Sequence, residues 1–213
     1  MESQLYSACE KGNTGEVKSL LKVRPSMDLD WNINENGWTA LHVACSERHD
    51  SIVSLLLAHP DIDVNRRDNR GFTPFYVSCV WASVSCVQVL LKDSRVDVNQ
   101  ADKWGCTPLK ETALRGYVDI IRCWIASGRT LDLAIGNENT DAIAAAQKVE
   151  SWHNSFHEAG KKEVLQLLRN YVANMVVTKN PVIQSPGITG KYALKVKTRA
   201  KNTLTSLIPR SGD

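Results

Sequence analysis

Short apolar runs alternate with polar turns along most of the chain. Each run follows a segment that contains a pair of small residues, and the pairs are Ala44-Cys45, Ser78-Cys79 and Thr112-Ala113. The runs themselves, at helical spacing, cover residues 52–57, 87–91 and 120–125. Small residues let a first helix approach its neighbour closely, whereas Val, Ile and Leu spaced by three to four residues bury the face of a second helix. The pattern therefore predicts pairs of short helices.

A period of 34 residues organises these pairs. The recurring residues are Gly37, Gly71 and Gly105, followed two positions later by Thr39, Thr73 and Thr107. Glycine allows a tight turn with positive φ, and threonine can accept a hydrogen bond as a helix N-cap. Pro74 and Pro108 fit the first position of a helix, where an N–H is not needed. A unit this short cannot bury its own apolar faces, so the units are predicted to stack on one another.

Three segments show the repeat most clearly. They read Gly37-Trp38-Thr39-Ala40-Leu41-His42, Gly71-Phe72-Thr73-Pro74-Phe75-Tyr76 and Gly105-Cys106-Thr107-Pro108-Leu109-Lys110. Two units close with Asp-Val-Asn, at 63–65 and 97–99. This register resembles the ankyrin repeat family, whose pattern is G-x-T-P-L-H-x-A-A, then V-x-x-L-L, then D-V-N. The resemblance implies an all-α solenoid of stacked helix-turn-helix units with β-hairpin-like loops, with about five units of which the first and last are atypical caps.

Extending the register outward gives the ends of the array. Residues 5–12 match a first helix without its leading turn, which predicts an N-terminal cap. Near the other end Thr140 begins another first helix, but the glycine before the next second helix, Gly160, comes eleven residues late. Eleven residues make about three helical turns, so we expect a longer first helix there. The predicted array spans residues 1–172, with units at 3–33, 34–67, 68–101, 102–136 and 137–172.

The family histidine is kept only as His42, and Tyr76 and Lys110 stand at the equivalent positions. The resemblance implies that His42 hydrogen-bonds locally and ties adjacent repeats together. It leaves open how the other two units are braced.

The last part of the chain, residues 173–213, differs in composition. It has no repeat phase, and its seven basic residues and one acidic residue give a net charge of +6. Residues 1–172 carry 19 basic and 22 acidic residues, a net charge of −3. We expect a basic, disordered tail after an acidic array.

Composition excludes several classes of function. The net charge of +3 argues against a dedicated nucleic-acid binder, and no apolar run reaches the ~20 residues of a membrane span. None of the six cysteines shows C-x-x-C spacing, so buried free thiols are expected rather than a metal or redox site. His153 and His157 lack the glutamate of a zinc-protease helix. We therefore expect no enzyme activity, no metal and no cofactor.

The candidate site follows from the resemblance, because family members bind partners through hairpin tips and the exposed side of the first helix. Carried over by register, the partner-binding candidates are Trp38, Glu47, Arg70, Phe72, Trp81, Lys103, Trp104 and Arg115. Aromatic residues and arginine are enriched in binding hot spots. The sequence also allows that these aromatics pack between repeats and only stiffen the array. The main prediction is a monomeric, non-catalytic scaffold that binds an unidentified protein through its concave face and hairpin tips.

Alternatives remain open from the sequence. The basic tail could contact nucleic acid or an acidic membrane. A ubiquitin-ligase substrate adaptor is another alternative, because some ankyrin proteins have this function. Their C-terminal box has a leucine-cysteine-arginine element, but the last cysteine here is Cys123. The resemblance also implies hydroxylation of Asn65 and Asn99, set against a purely structural role in the hairpin. Residues 1–12 do not read as a secretory signal, so the cytoplasm, or else the nucleus, is the expected compartment.

Overall fold

A computed structural model describes residues 2–24, 27–32, 35–133, 141–147 and 155–177. Within these ranges every regular element is a helix. The helices are α1 (Glu2–Glu10), α2 (Thr14–Val23), α3 (Ala40–Ser46), α4 (Asp50–Leu57), α5 (Pro74–Val80), α6 (Val84–Lys92), α7 (Pro108–Arg115), α8 (Val118–Ala126), α9 (Ala142–Gln147) and α10 (Ser155–Val177). The predicted all-α class is confirmed.

The helices of residues 1–164 form two layers. In one layer α1, α3, α5, α7 and α9 pack in succession, and in the other α2, α4, α6 and α8 do so. Each helix of the first layer, from α1 to α7, also packs on the helix that follows it in the chain. The chain divides into two compact units, Met1–Val164 and Leu165–Asp213, and the described part of the second unit is helical from 165 to 177. The predicted stacking of helix pairs is therefore present in the first unit.

The start of each first helix follows the sequence prediction. Gly37, Gly71 and Gly105 have φ of 76°, 86° and 77°, the left-handed region that glycine adopts without strain. Thr73 accepts a hydrogen bond from the Tyr76 N–H as the N-cap of α5, directly before the N1 proline. Thr107 does the same for the Lys110 N–H at α7. These caps satisfy backbone donors that the first turn of a helix leaves unpaired.

The core lies between and beneath the first helices. Every residue of α3 is buried, because α1 and α5 cover it on two sides and α4 on a third. The second helices contribute a buried stripe, such as Ile52, Val53 and Leu56 of α4. Trp124 of α8 meets Phe75 of α5 edge-on, with ring centroids 5.0 Å apart. Each such side chain removed from water stabilises the fold by about 1.5–3 kcal/mol.

The turn between the two helices of a unit needs one left-handed residue. Glycine supplies it in the first and fourth units, as Gly12 and Gly116. Arg48 and Ala82 occupy the equivalent places with φ of 65° and 52°. A left-handed conformation costs a residue with a Cβ roughly 1–2 kcal/mol, so two of these turns are held by their surroundings against local preference.

The last helices correct one sequence-based expectation. Gly160 does not form the turn before a second helix, since it lies inside α10, which already begins at Ser155. A Cβ built on Gly160 would lie 2.3 Å from the carbonyl oxygen of Gly116. The glycine is therefore needed for close packing of α10 on that turn. The long helix of this pair is α10, with 23 residues, whereas α9 has six.

Part of the C-terminal predictions lies outside the described residues. Thr140, Trp152 and the segment 178–213 belong there, and with them most of the predicted tail. Helix α10 runs on to Val177, so residues 173–177, which the sequence assigned to the tail, are helical. Among the described helices, none combines the length and apolar character of a membrane span.

Candidate partner-binding face

The hairpin tips of three successive units lie side by side. We call residues 35–38, 69–72 and 103–106 the tip row. The Asn69 N–H donates to the Asn36 carbonyl at 2.8 Å, and the Lys103 N–H donates to the Arg70 carbonyl at 3.0 Å. A Cβ on Gly71 would lie 2.9 Å from the Lys103 nitrogen, so glycine is required where these tips meet. Backbone hydrogen bonds thus fix the spacing of the tips.

Two buried aspartates shape the tips from beneath. One carboxylate oxygen of Asp68 accepts the N–H groups of Arg70 and Phe72, at 2.8 and 2.7 Å. The corresponding oxygen of Asp102 accepts the N–H groups of Trp104 and Cys106, at 2.9 and 2.8 Å. Sequence analysis did not single out either aspartate. The signal was available, because Asp stands three residues before both Gly71 and Gly105, 34 positions apart, although Asn34 takes that place before Gly37.

The second oxygen of each aspartate binds a side chain of the preceding unit. Trp38 donates its Nε1–H to Asp68 at 3.0 Å. Tyr76 donates its hydroxyl hydrogen to Asp102 at 3.1 Å. The two aspartates therefore connect neighbouring units as well as closing their own turns, and Tyr76 provides bracing where the family histidine is missing.

His42 braces its unit through both ring nitrogens. Its Nδ1 lies 3.2 Å from the Thr39 backbone nitrogen, which can only donate, so Nδ1 is the acceptor. Its Nε2–H then donates to the Phe72 carbonyl of the next unit at 3.0 Å. Burial lowers the pKa of His42 to about 4, so the ring is neutral at pH 7. The bracing that the resemblance implied for His42 is present.

Phe72 and Arg70 belong to a stack of side chains next to the His42 brace, since the Phe72 carbonyl accepts the His42 hydrogen bond. The Phe72 ring lies on the Tyr76 ring, with centroids 4.3 Å apart and planes at 14°. The Arg70 guanidinium lies 4.5 Å from the Phe72 centroid and its Nε is 3.5 Å from Asp68. Burial, reinforced by the Asp102 carboxylate, raises the pKa of the Tyr76 hydroxyl, which keeps its hydrogen available for donation. Arg70 is thus held in place although its side chain is 46% exposed.

The remaining candidates are more open to solvent. Trp81 is 50% exposed and Trp104 is 67% exposed. Glu47 and Lys103 are exposed, and Arg115 is half-buried, with its Nε donating to Glu111 at 2.7 Å. The candidate set therefore divides: Trp38 and Phe72 are half-buried parts of the framework, whereas Trp81 and Trp104 present large apolar surface to water.

Trp81 stands at the end of a first helix, in the same register as Glu47 and Arg115. It is the C-cap of α5, directly before the left-handed Ala82. Arg48 of the preceding unit donates through Nη2 to the Trp81 carbonyl at 3.0 Å. Sequence analysis missed Arg48, which helps to hold the backbone of Trp81. It also missed Trp31, an exposed tryptophan (36%) in the loop after α2.

The two asparagines considered for hydroxylation bridge successive hairpin arms. Asn65 donates through Nδ2 to the Arg95 carbonyl at 2.8 Å, and its Oδ1 accepts the Asp97 N–H at 2.7 Å. Asn99 makes the equivalent bonds to the Thr130 carbonyl and the Asp132 N–H, at 3.3 and 3.2 Å. These contacts support a structural role, and hydroxylation stays a prediction.

None of the cysteines whose pKa is shifted is activated as a nucleophile. Burial raises the pKa of Cys9 and of Cys79 to about 12, and that of Cys86 to about 11. Protonated thiols are poor nucleophiles and metal ligands. In the described ranges, no three His, Cys, Asp or Glu side chains gather as metal ligands would.

Comparisons with known proteins agree with this geometry. A family model for ankyrin repeats (3 copies) matches residues 2–68, and another for ankyrin repeats (many copies) matches residues 55–111. Together they cover residues 2–111, more than half of the chain. Among curated proteins, none matches.

Proposed function

Because the chain belongs to the ankyrin repeat family, whose members generally serve as protein–protein interaction modules, we propose that it is a non-catalytic scaffold. It binds a protein partner through the tip row and the exposed ends of the first helices. The binding residues are Trp38, Glu47, Arg70, Phe72, Trp81, Lys103, Trp104 and Arg115.

The exposure of Trp81 and Trp104 carries this proposal. A tryptophan buries about 150–250 Å² when a partner covers it, and such residues dominate interface energetics. Both stand on a backbone that neighbouring units hold, through the Arg70–Lys103 bond at the tip and the Arg48–Trp81 bond at the helix end. Rigid positioning lowers the entropic cost of ordering these side chains when a partner binds. Trp38 and Phe72 contribute mainly by keeping these anchors in place.

The proposal is tested by capture on the immobilised full chain. Proteins retained by the wild type are compared with those retained by the Trp81→Ala/Trp104→Ala double variant. The matched control is Trp31→Ala, which removes an exposed tryptophan outside the candidate set. We expect a specific partner to be lost with the double variant and kept with the control, because truncating a hot-spot residue costs about 2 kcal/mol or more.

Circular dichroism checks that all variants keep the helical content of the wild type. Equal retention of every protein by the wild type and the double variant would contradict the proposed site. Retention of nothing by the wild type, from lysates of several sources, would contradict the scaffold function itself.

A further inference from the structure

The third and fourth units present positive charge beside the exposed tryptophans. Arg70 and Lys103 stand on adjacent tips, and Arg115 stands at the end of α7 in register with Trp81. We call Arg70, Trp81, Lys103, Trp104 and Arg115 the cationic patch. Side-chain exposure is 46% for Arg70 and 41% for Arg115, and Lys103 is exposed.

The acidic residues of the same tips and first helices face inward. Asp68 and Asp102 are buried, with their oxygens used by the turn N–H groups and by Trp38 and Tyr76. The side chain of Glu111 is only 16% exposed and is paired with Arg115. The surface that a partner would meet here is therefore positive and aromatic, although residues 1–172 as a whole carry a net charge of −3.

The acidic residues that are exposed in the same two units stand elsewhere. Asp97 and Asp132 lie on hairpin arms, where the Asp97 carboxylate accepts the Asn99 N–H, and Asp119 lies on the second helix α8. The tips and first-helix ends of these units thus carry exposed cations without exposed anions, whereas the arms and second helices carry both signs, with Lys92, Arg95 and Arg122 also exposed. Complementary potentials of this kind select partners and raise association rates.

We propose that the cationic patch binds an acidic peptide segment that also carries apolar side chains. This inference rests on the proposed function. Carboxylates of the peptide pair with Arg70, Lys103 and Arg115, and its apolar residues cover Trp81 and Trp104. Arg70 suits this role because its stack on Phe72 fixes the guanidinium before binding.

A continuous polyanion such as nucleic acid fits this surface less well. Glu35 and Glu47, exposed at the tip and helix end of the preceding unit, would repel a uniformly charged strand that ran along the tip row. A peptide can place its carboxylates over the patch alone. The cations are also few, whereas nucleic-acid binding grows with the number of phosphates neutralised.

The probe is a phage-displayed library of random 16-residue peptides, selected on the immobilised full chain. We expect the enriched peptides to be rich in Asp, Glu and large apolar residues. Their affinity is then measured for the wild type, for Arg70→Gln/Lys103→Gln, and for the control Lys18→Gln/Lys92→Gln. The control removes two exposed lysines of the second helices α2 and α6 and makes the same change in net charge.

The expected result is a loss of roughly tenfold or more in affinity with the Arg70/Lys103 variant and less than about twofold with the control. Enrichment of neutral or basic peptides, equal affinities for both double variants, or no enrichment would overturn the inference. Tighter binding of a 16-nucleotide single-stranded DNA to the same cations would overturn it in favour of nucleic acid. If Trp81→Ala/Trp104→Ala still abolishes partner capture while the peptides are not acidic, the scaffold function stands and only the partner class fails.

Discussion

Trp38 and Trp104 each stand next to a tip glycine, in hairpin tips two units apart, and have different roles. Trp38 follows its tip glycine, packs on His42 with ring centroids 6.4 Å apart, and donates to the buried Asp68. Trp104 precedes its tip glycine and is 67% exposed. Phe72 behaves like Trp38, since it stacks between Arg70 and Tyr76, and Trp81 behaves like Trp104. A tip residue becomes part of the framework when another side chain covers it, from the next unit for Trp38 and from its own unit for Phe72.

The largest loss of stability is expected on replacing Asp68, the partner of the framework residue Trp38. Asp68→Ala should lower the free energy of unfolding by about 3 kcal/mol, because it removes the carboxylate that accepts from the N–H groups of Arg70 and Phe72 and from the Trp38 indole. Urea denaturation followed by circular dichroism measures the loss. The control is Asp97→Ala, which removes an exposed carboxylate that accepts the Asn99 N–H, and should cost under about 1 kcal/mol. Similar losses for both variants would show that Asp68 does not organise the tips.

A pH titration examines the brace at His42. The folded pKa of about 4 lies below the usual 6.5, so the unfolded chain binds a proton that the folded chain does not. The stability this gives is fully present above pH 6.5 and is lost as the pH falls toward 4. Between pH 7 and pH 5 we expect the wild type to lose about 2 kcal/mol more than His42→Gln, measured by urea denaturation. All other groups are the same in both proteins, so parallel pH curves would contradict a neutral, buried His42.

Tyr76 is expected to have a smaller effect. Tyr76→Phe keeps the ring stack on Phe72 but removes the hydroxyl that donates to Asp102, and should cost about 1 kcal/mol. A double-mutant cycle with Asp102→Asn, again by urea denaturation, isolates this hydrogen bond. If the cost of Tyr76→Phe is the same with Asp102 and with Asn at that position, the tyrosine does not replace the histidine brace.

The smallest effect on stability is expected at the exposed tryptophans. Trp81→Ala and Trp104→Ala should each change the free energy of unfolding by less than about 0.5 kcal/mol, since surface substitutions usually do so. Trp38→Ala should cost about 2 kcal/mol in the same urea measurement, because it opens the contact with His42 and removes a donor to Asp68. Equal costs for Trp38 and Trp104 would remove the distinction between framework and exposed aromatics.

Much of the fold could be predicted from the sequence because its signals are local. The tip glycines need positive φ, Thr73 and Thr107 cap the helices that follow, and the apolar spacing gives the buried faces. The role of Gly160 could not be predicted in this way. Glycine is needed at this position because the backbone of Gly116, 44 positions earlier in the chain, packs closely against it.

The candidate site was predictable as a set of positions and not as a set of roles. Register indicated which residues stand at the tips and helix ends. It could not indicate that Phe72 stacks on Tyr76, which depends on the side-chain conformations at the start of α5. Nor could it indicate that Arg48 donates to the Trp81 carbonyl, which depends on the position of the next unit.

The sequence by itself determined that short helix pairs stack with a period of 34 residues, because caps, turns and apolar spacing act within one unit. The tertiary structure alone decided which aromatic side chains are covered. Trp38 is half-buried and bonded to the Asp68 carboxylate of the next unit, whereas Trp104 is exposed on its tip. Burial is a property of neighbours in space, and a one-dimensional repeat specifies those neighbours only once the units are stacked.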